Sequence, residues 1–186
     1  MLCFLPLAGV MSAAQKATHV SAKQAKPDAC AVLTRADVQK IQGDAVQETK
    51  PSTPPYGGLV MSQCVFRTAN PSKSVSVAIA SPGSTSPRAF WQKQFPSAKS
   101  SSEDEAEKKP AVADKKEKKE EEEESTRPRT IQGLGEQAYW VGSPMVGALY
   151  VLKGNTFLRI SVGGVREEPA RIQKSVALAR LALKRM

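Results

Sequence analysis

The stretch Gly133-Leu134-Gly135-Glu136-Gln137-Ala138-Tyr139-Trp140-Val141 decides the class of fold, together with its continuations Gly147-Ala148-Leu149-Tyr150-Val151-Leu152 and Phe157-Leu158-Arg159-Ile160-Ser161-Val162. The last two runs are separated by Lys153-Gly154-Asn155-Thr156. Gly and Asn accept the positive φ that a two-residue hairpin turn needs, so the two runs predict paired strands. Leu158, Ile160 and Val162 share one face of the second strand, and Phe157, Arg159 and Ser161 share the other. This predicts the centre of an antiparallel sheet.

The upstream half repeats the pattern. Val75, Val77 and Ile79 alternate with Ser74, Ser76 and Ala78, and Val60, Ser62, Cys64 and Phe66 share a face of the run before them. Strands are predicted at 45–50, 59–68 and 73–80, then at 136–141, 146–152 and 156–162. Pro51 to Gly58 and Asn70-Pro71-Ser72 read as loop and turn. A short helix at 87–95 carries Phe90, Trp91 and Phe95, whose spacing reads as core rather than as a ligand platform. The second half ends in a helix over 168–185. Two βββα halves predict an α+β fold, with a pseudo-repeat and one antiparallel sheet of about six strands packed by helices.

Both outer helices carry their own signals. Thr34-Arg35-Ala36-Asp37 has capping-box form, with Leu33 and Val38 at the staple positions and Gly43 as the stop. Glu167-Glu168-Pro169 opens the last helix, where acids and proline suit the first turn. Ile172, Val176, Ala179, Leu183 and Met186 form its expected apolar stripe, flanked by Ser175 and Ala182. Arg171, Lys174, Arg180, Lys184 and Arg185 are placed on the flanks and back.

Charge is divided unevenly. Of 27 Lys/Arg and 18 Asp/Glu, residues 97–130 hold 9 and 11, leaving the rest with 18 against 7, net +11. The same segment has few apolar residues, so the overall apolar share of 40% understates the folded part. The Lys/Glu-rich, low-complexity stretch 99–129 reads as a disordered or partly helical, coiled-coil-like insertion with no apolar face; a charged partner-binding segment is the alternative. The basic remainder favours solubility or an anionic partner. Lys174, Arg180, Lys184 and Arg185 are the candidate contacts to such a surface.

The start of the chain points to export. Leu2 to Val10 is apolar and Ser12-Ala13-Ala14 resembles a cleavage site, so residues 1–14 are expected to be a signal peptide lacking its positively charged start. Residues 15–29, with the lone His19, read as a flexible tail, and residues 30–186 as a single domain. Cleavage would remove Cys3 and leave Cys30 and Cys64, either as a disulfide or as two buried thiols. A periplasmic or secreted location is expected.

Cys30-Ala31-Val32-Leu33-Thr34-Arg35-Ala36-Asp37-Val38, the strand Cys64, Gly133-Leu134-Gly135-Glu136-Gln137-Ala138 and the Ala-rich last helix form a set. Together they resemble exported bacterial domains of unknown function that occur as lipoproteins and small secreted proteins. The resemblance implies a PsbP-like α+β sandwich and a Cys30–Cys64 bridge. No lipobox cysteine accompanies it.

No nucleophile elbow, His-Glu-x-x-His or phosphate loop is present, and one tail histidine cannot complete a Ser–His or Cys–His pair. Asp37, Asp44, Glu48, Glu136, Glu167 and Glu168 sit at expected caps, turns or strand starts. The sequence therefore predicts no catalytic residue, cofactor or metal. It predicts a non-catalytic binding domain whose partner is a protein or an anionic envelope component. Nucleic acid is not expected, because aromatic residues are not interleaved with the cations.

Overall fold

The computed structural model describes residues 27–96, 127–143 and 145–186. The expected signal peptide, Cys3, His19, most of the expected tail and the insertion as far as residue 126 lie outside the described residues.

The described residues fold as an antiparallel seven-stranded sheet with three α-helices. In chain order these are α1 (Arg35–Gln42), β1 (Val46–Ser52), β2 (Val60–Thr68), β3 (Val75–Ser81), α2 (Pro87–Gln94), β4 (Arg129–Thr130), β5 (Gln137–Gly142), β6 (Gly147–Lys153), β7 (Thr156–Val162) and α3 (Glu168–Leu183). The sheet order is β1-β2-β3-β7-β6-β5-β4. Two meanders meet at a seam where β3 pairs with β7, from Val75↔Val162 to Ala80↔Phe157. The seventh strand, β4, is two residues pairing with Trp140 and Tyr139, and its first, Arg129, is the last residue of the stretch expected to be insertion.

Alternation along the strands sends two sets of side chains to opposite faces. Cys64, Phe66, Val77, Ile79, Leu149, Val151, Leu158 and Ile160 pack under α1 and α3. On the other face α2 lays Trp91 and Phe95 on Tyr139, Leu152 and Phe157, and Tyr56, Phe90 and Tyr150 join them at the margin. Ring centroids in this aromatic layer lie 4.6 to 6.4 Å apart, the range in which tilted and offset pairs are favourable. Trp91 Nε1 donates to Gln137 Oε1 at 2.6 Å, so its one polar atom is satisfied on burial. Thus α2 and α3, which close the two meanders, cover opposite faces of the sheet.

The α1 cap forms as its residues dictate. Asp37 N donates to Thr34 Oγ1 at 3.1 Å, and Thr34 N donates to Asp37 Oδ2 at 2.9 Å. Leu33 and Val38 are both buried. The β6–β7 hairpin turns at Gly154, φ 60°, as a Gly-Asn turn requires.

The face of α3 differs from expectation. Its sheet side is Arg171, Ser175, Leu178, Ala179 and Ala182, while Ile172, Val176, Leu183 and Met186 are only partly buried. The helix is rotated by about one residue (100°) relative to the apolar stripe. Small side chains at 175, 179 and 182 let the helix lie close over β6 and β7, and the larger apolar residues become its shoulders. Arg171, expected on the flank or back, is buried and donates to Ser143 O at 3.0 Å.

Trp140 sets the β5–β6 end of this layer. Its indole lies across paired Gly142 and Gly147 and donates from Nε1 to Glu168 Oε1 at 2.6 Å. A Cβ on Gly142 would stand 2.8 Å from Nε1, and one on Gly147 would press on Cζ2 and Cη2. Gly147→Ala is therefore expected to lower stability by about 1–3 kcal/mol, the usual cost of overpacking, read as a lower urea midpoint at unchanged slope.

Candidate functional site

The disulfide organises one end of the molecule. Cys30 and Cys64 are bonded with Cα atoms 5.0 Å apart, well inside the span a bridge accepts. The bond clamps the turn before α1 onto β2. Ala29 N donates to Ser62 Oγ, and Cys30 N donates to Asp28 Oδ1, both at 2.9 Å. Ala29 is fully buried, so the folded body begins before Cys30, inside the stretch expected to be tail.

This turn forms one wall of a cleft at the open end of the layer between sheet and helices. The floor is Val60 of β2, Ser81 of β3 and Thr156 of β7, and Arg185 and Met186 close it from the end of α3. Its volume is about 550 Å³. A second recess of about 710 Å³ shares Pro27, Asp28, Val60 and Ser81 with it and runs on to the Pro51–Pro55 loop. Together they make a trough that mixes apolar residues with Asp28, Ser52, Thr53, Ser62, Ser81, Thr156 and Arg185. Ser81 is only 8% exposed, and its hydroxyl has no hydrogen-bond partner among the described residues. Buried hydroxyls are normally paired, and Ser81 Oγ, like Ser175 Oγ, is an exception among the described residues.

The four cations expected to contact an anionic surface divide in two. Lys174 Nζ donates to Gln42 O and Gln42 Oε1 at 3.3 and 3.2 Å. Arg185 Nη1 donates to Val32 O at 3.0 Å and to Asp37 Oδ2 at 2.7 Å. These two side chains rivet α3 to α1, and their pairing shows that the helices run antiparallel. Partial burial pushes the Asp37 carboxyl upward, but hydrogen bonds from Arg185 and Thr34 outweigh it and hold its pKa below the ordinary value. Arg180 and Lys184 are exposed and make no bond among the described residues. Arg35 and Lys40, on the exposed side of α1, are free in the same way.

Most of the acids are occupied, Glu167 excepted. Glu168 receives Trp140 and Arg129, the latter at 2.7 Å. Glu136 receives Arg88 at 2.6 Å, and that hydrogen bond lowers its pKa. Asp44 accepts from Ala45 N and Asn70 N at a turn. Among the described residues no group of three or more His, Cys, Asp or Glu could hold a metal, and no helix is long and apolar enough to cross a membrane.

The trough was not legible in the sequence, because it is built from the ends of five separate elements. The contribution of Arg35 was legible in principle: a cation at a helix N-terminus gains nothing from the dipole, and Arg35 is the first residue of α1. Comparison of the chain with protein-family models, curated proteins and solved structures returned no match.

Proposed function

We propose that the protein is an exported, non-catalytic interaction domain whose helical layer docks on the anionic phospholipid surface of the cell envelope. One observation carries this reading. The exposed side of α1 and α3 presents Arg35, Lys40, Arg180 and Lys184 without partners among the described residues, and the acid beside them, Asp37, is taken by Arg185. A surface of one sign with its acid neutralised attracts headgroups of the other. The closed Cys30–Cys64 bond fits an oxidising compartment, where such bonds persist. The resemblance to exported lipoprotein-like domains points the same way.

Co-sedimentation with phosphatidylglycerol-containing vesicles tests it. The parent is expected to bind at low salt and to release near 0.5 M, where the Debye length is only about 4 Å. Arg35→Gln, Lys40→Gln, Arg180→Gln and Lys184→Gln together should remove most binding, at about 1 kcal/mol per cation, with the melting temperature little changed. A parent that ignores the vesicles, or a quadruple variant that binds equally, overturns the proposal. Retention on heparin without vesicle binding would move the partner to an acidic polysaccharide.

A further inference from the structure

We infer that a groove on the α2 side of the sheet binds a small monocarboxylate, its head held by Arg159 and Tyr150. The groove lies across the sheet from α1 and α3, so it is independent of docking by the helical face. Alternation puts Arg159 of β7 on the same face as Phe157, and its partner on β6 is Tyr150. α2 ends at Gln94, and the next residue, Phe95, meets the Tyr150 ring edge-on at 5.5 Å. Past that ring the face opens into a groove of about 300 Å³, whose walls include Val141, Val146, Ala148, Tyr150, Arg159 and Ser161. Arg159 is the only charged side chain among the described residues that line it, and none of them is an acid.

The donors are set by one bond. Arg159 Nε donates to Tyr150 Oη at 3.1 Å, and the guanidinium carbon lies 5.7 Å from the centroid of the same ring. Among the described residues Arg159 has no ion pair, and Nη1 and Nη2 have no acceptor. A guanidinium fixed through Nε offers both Nη groups as a planar fork, which matches the two oxygens of a carboxylate. Tyr150 Oη accepts from Nε, so its own proton remains for the ligand. Tyr56 does not take that proton. Burial is the main cause that raises the Tyr56 pKa, and hydrogen bonding with Tyr150 adds to it, as it does when Tyr56 is the donor. Ser161 Oγ donates to Gly147 O at 2.8 Å and offers only lone pairs. Val141, Val146 and Ala148 suit an apolar body, and Val146 is 70% exposed, so a ligand would cover it. The volume is at the small end of ligand sites, about 300–1,000 Å³, and suits a short acid. With a single cation, a phosphate dianion would keep an uncompensated charge beside apolar walls, which selects the carboxylate.

The experiment titrates 3-methylbutanoate into the oxidised full-length protein and follows NMR shifts of the backbone amides and of the Arg159 Nε–H. Saturable shifts are expected at Val141, Ala148, Tyr150 and Arg159. The neutral 3-methylbutan-1-ol and inorganic phosphate should bind about tenfold or more weakly, as the loss of a charge-assisted, bidentate pair dictates. Tyr150→Phe keeps the ring and should weaken binding severalfold, by about the worth of one hydrogen bond. Arg159→Lys keeps the charge without the fork and should weaken it by about tenfold, with both variants still melting cooperatively. Acetyl-Ala-Val carries the same head on a peptide: tighter binding than 3-methylbutanoate assigns the site to a peptide C-terminus, and weaker binding to a free acid. The Arg35, Lys40, Arg180 and Lys184 variant should bind as the parent does, which separates this site from the helical face. Absence of saturable binding, equal affinity for the alcohol or for phosphate, shifts confined to other parts of the molecule, or unchanged binding by Arg159→Lys overturns the inference.

Discussion

Replacing Cys30 and Cys64 by serine is expected to lower the unfolding free energy by about 3–4 kcal/mol, the loop-closure value for a separation of 34 residues. Much of the effect should lie in the unfolded chain, which gains the freedom of the whole segment from the first turn to the middle of β2. A native-state consequence accompanies it. The turn holding Asp28, Ala31 and Val32 is fastened to β2 by this bond and by the hydrogen bond of Ala29 N to Ser62 Oγ. The double variant should therefore lose the trough wall before it loses the sheet, with early amide exchange at residues 28–33. Guanidinium denaturation checks the first expectation and hydrogen exchange the second. Alkylation of both thiols without reductant in periplasmic material would show that the bond does not form there.

Leu178→Asp should abolish the cooperative transition. Leu178 is fully buried among sheet residues of the α1/α3 layer, so a carboxylate there has neither water nor a partner and costs several kcal/mol. Val176→Asp is the informative contrast. Val176 is only partly buried on the shoulder of α3, and its replacement should cost about 1–2 kcal/mol with cooperativity retained. Near-UV circular dichroism melts of the two variants separate these outcomes. Equal damage from both would return the helix to the face that the apolar stripe describes.

That contrast marks where the sequence could be read and where it could not. The β6–β7 hairpin, the alternation of β3 and the Thr34–Asp37 box each depend on residues a few positions apart, so the chain carries the full instruction locally. The face of α3 depends on how closely the helix approaches the sheet. Ser175, Ala179 and Ala182 permit a close approach, and no count of hydrophobic residues rewards a serine or a buried arginine. The placement of α2 was half visible. Phe157 points away from Leu158 and Ile160 by alternation, and the aromatic helix covers that second face. Arg129–Thr130 has no strand signal of its own and is a strand because β5 offers it an edge. Of the four cations expected to form a contact surface, Lys174 and Arg185 bind backbone and side chains of neighbouring segments, an engagement invisible without the antiparallel packing of α1 on α3.

The seam between β3 and β7 has a consequence for biosynthesis. The ribosome delivers β3 complete with its partner β2, but its other neighbour arrives about 80 residues later, Ile79 pairing with Leu158. In that interval Val75–Ser81 is an open edge with no charged residue and no proline, inside a strand whose residues are nearly all buried in the finished fold. Such edges recruit other strands, including those of a second nascent chain. The middle of this sheet is thus its last joint to close, and a chain interrupted before residue 156 carries its most adhesive strand uncovered.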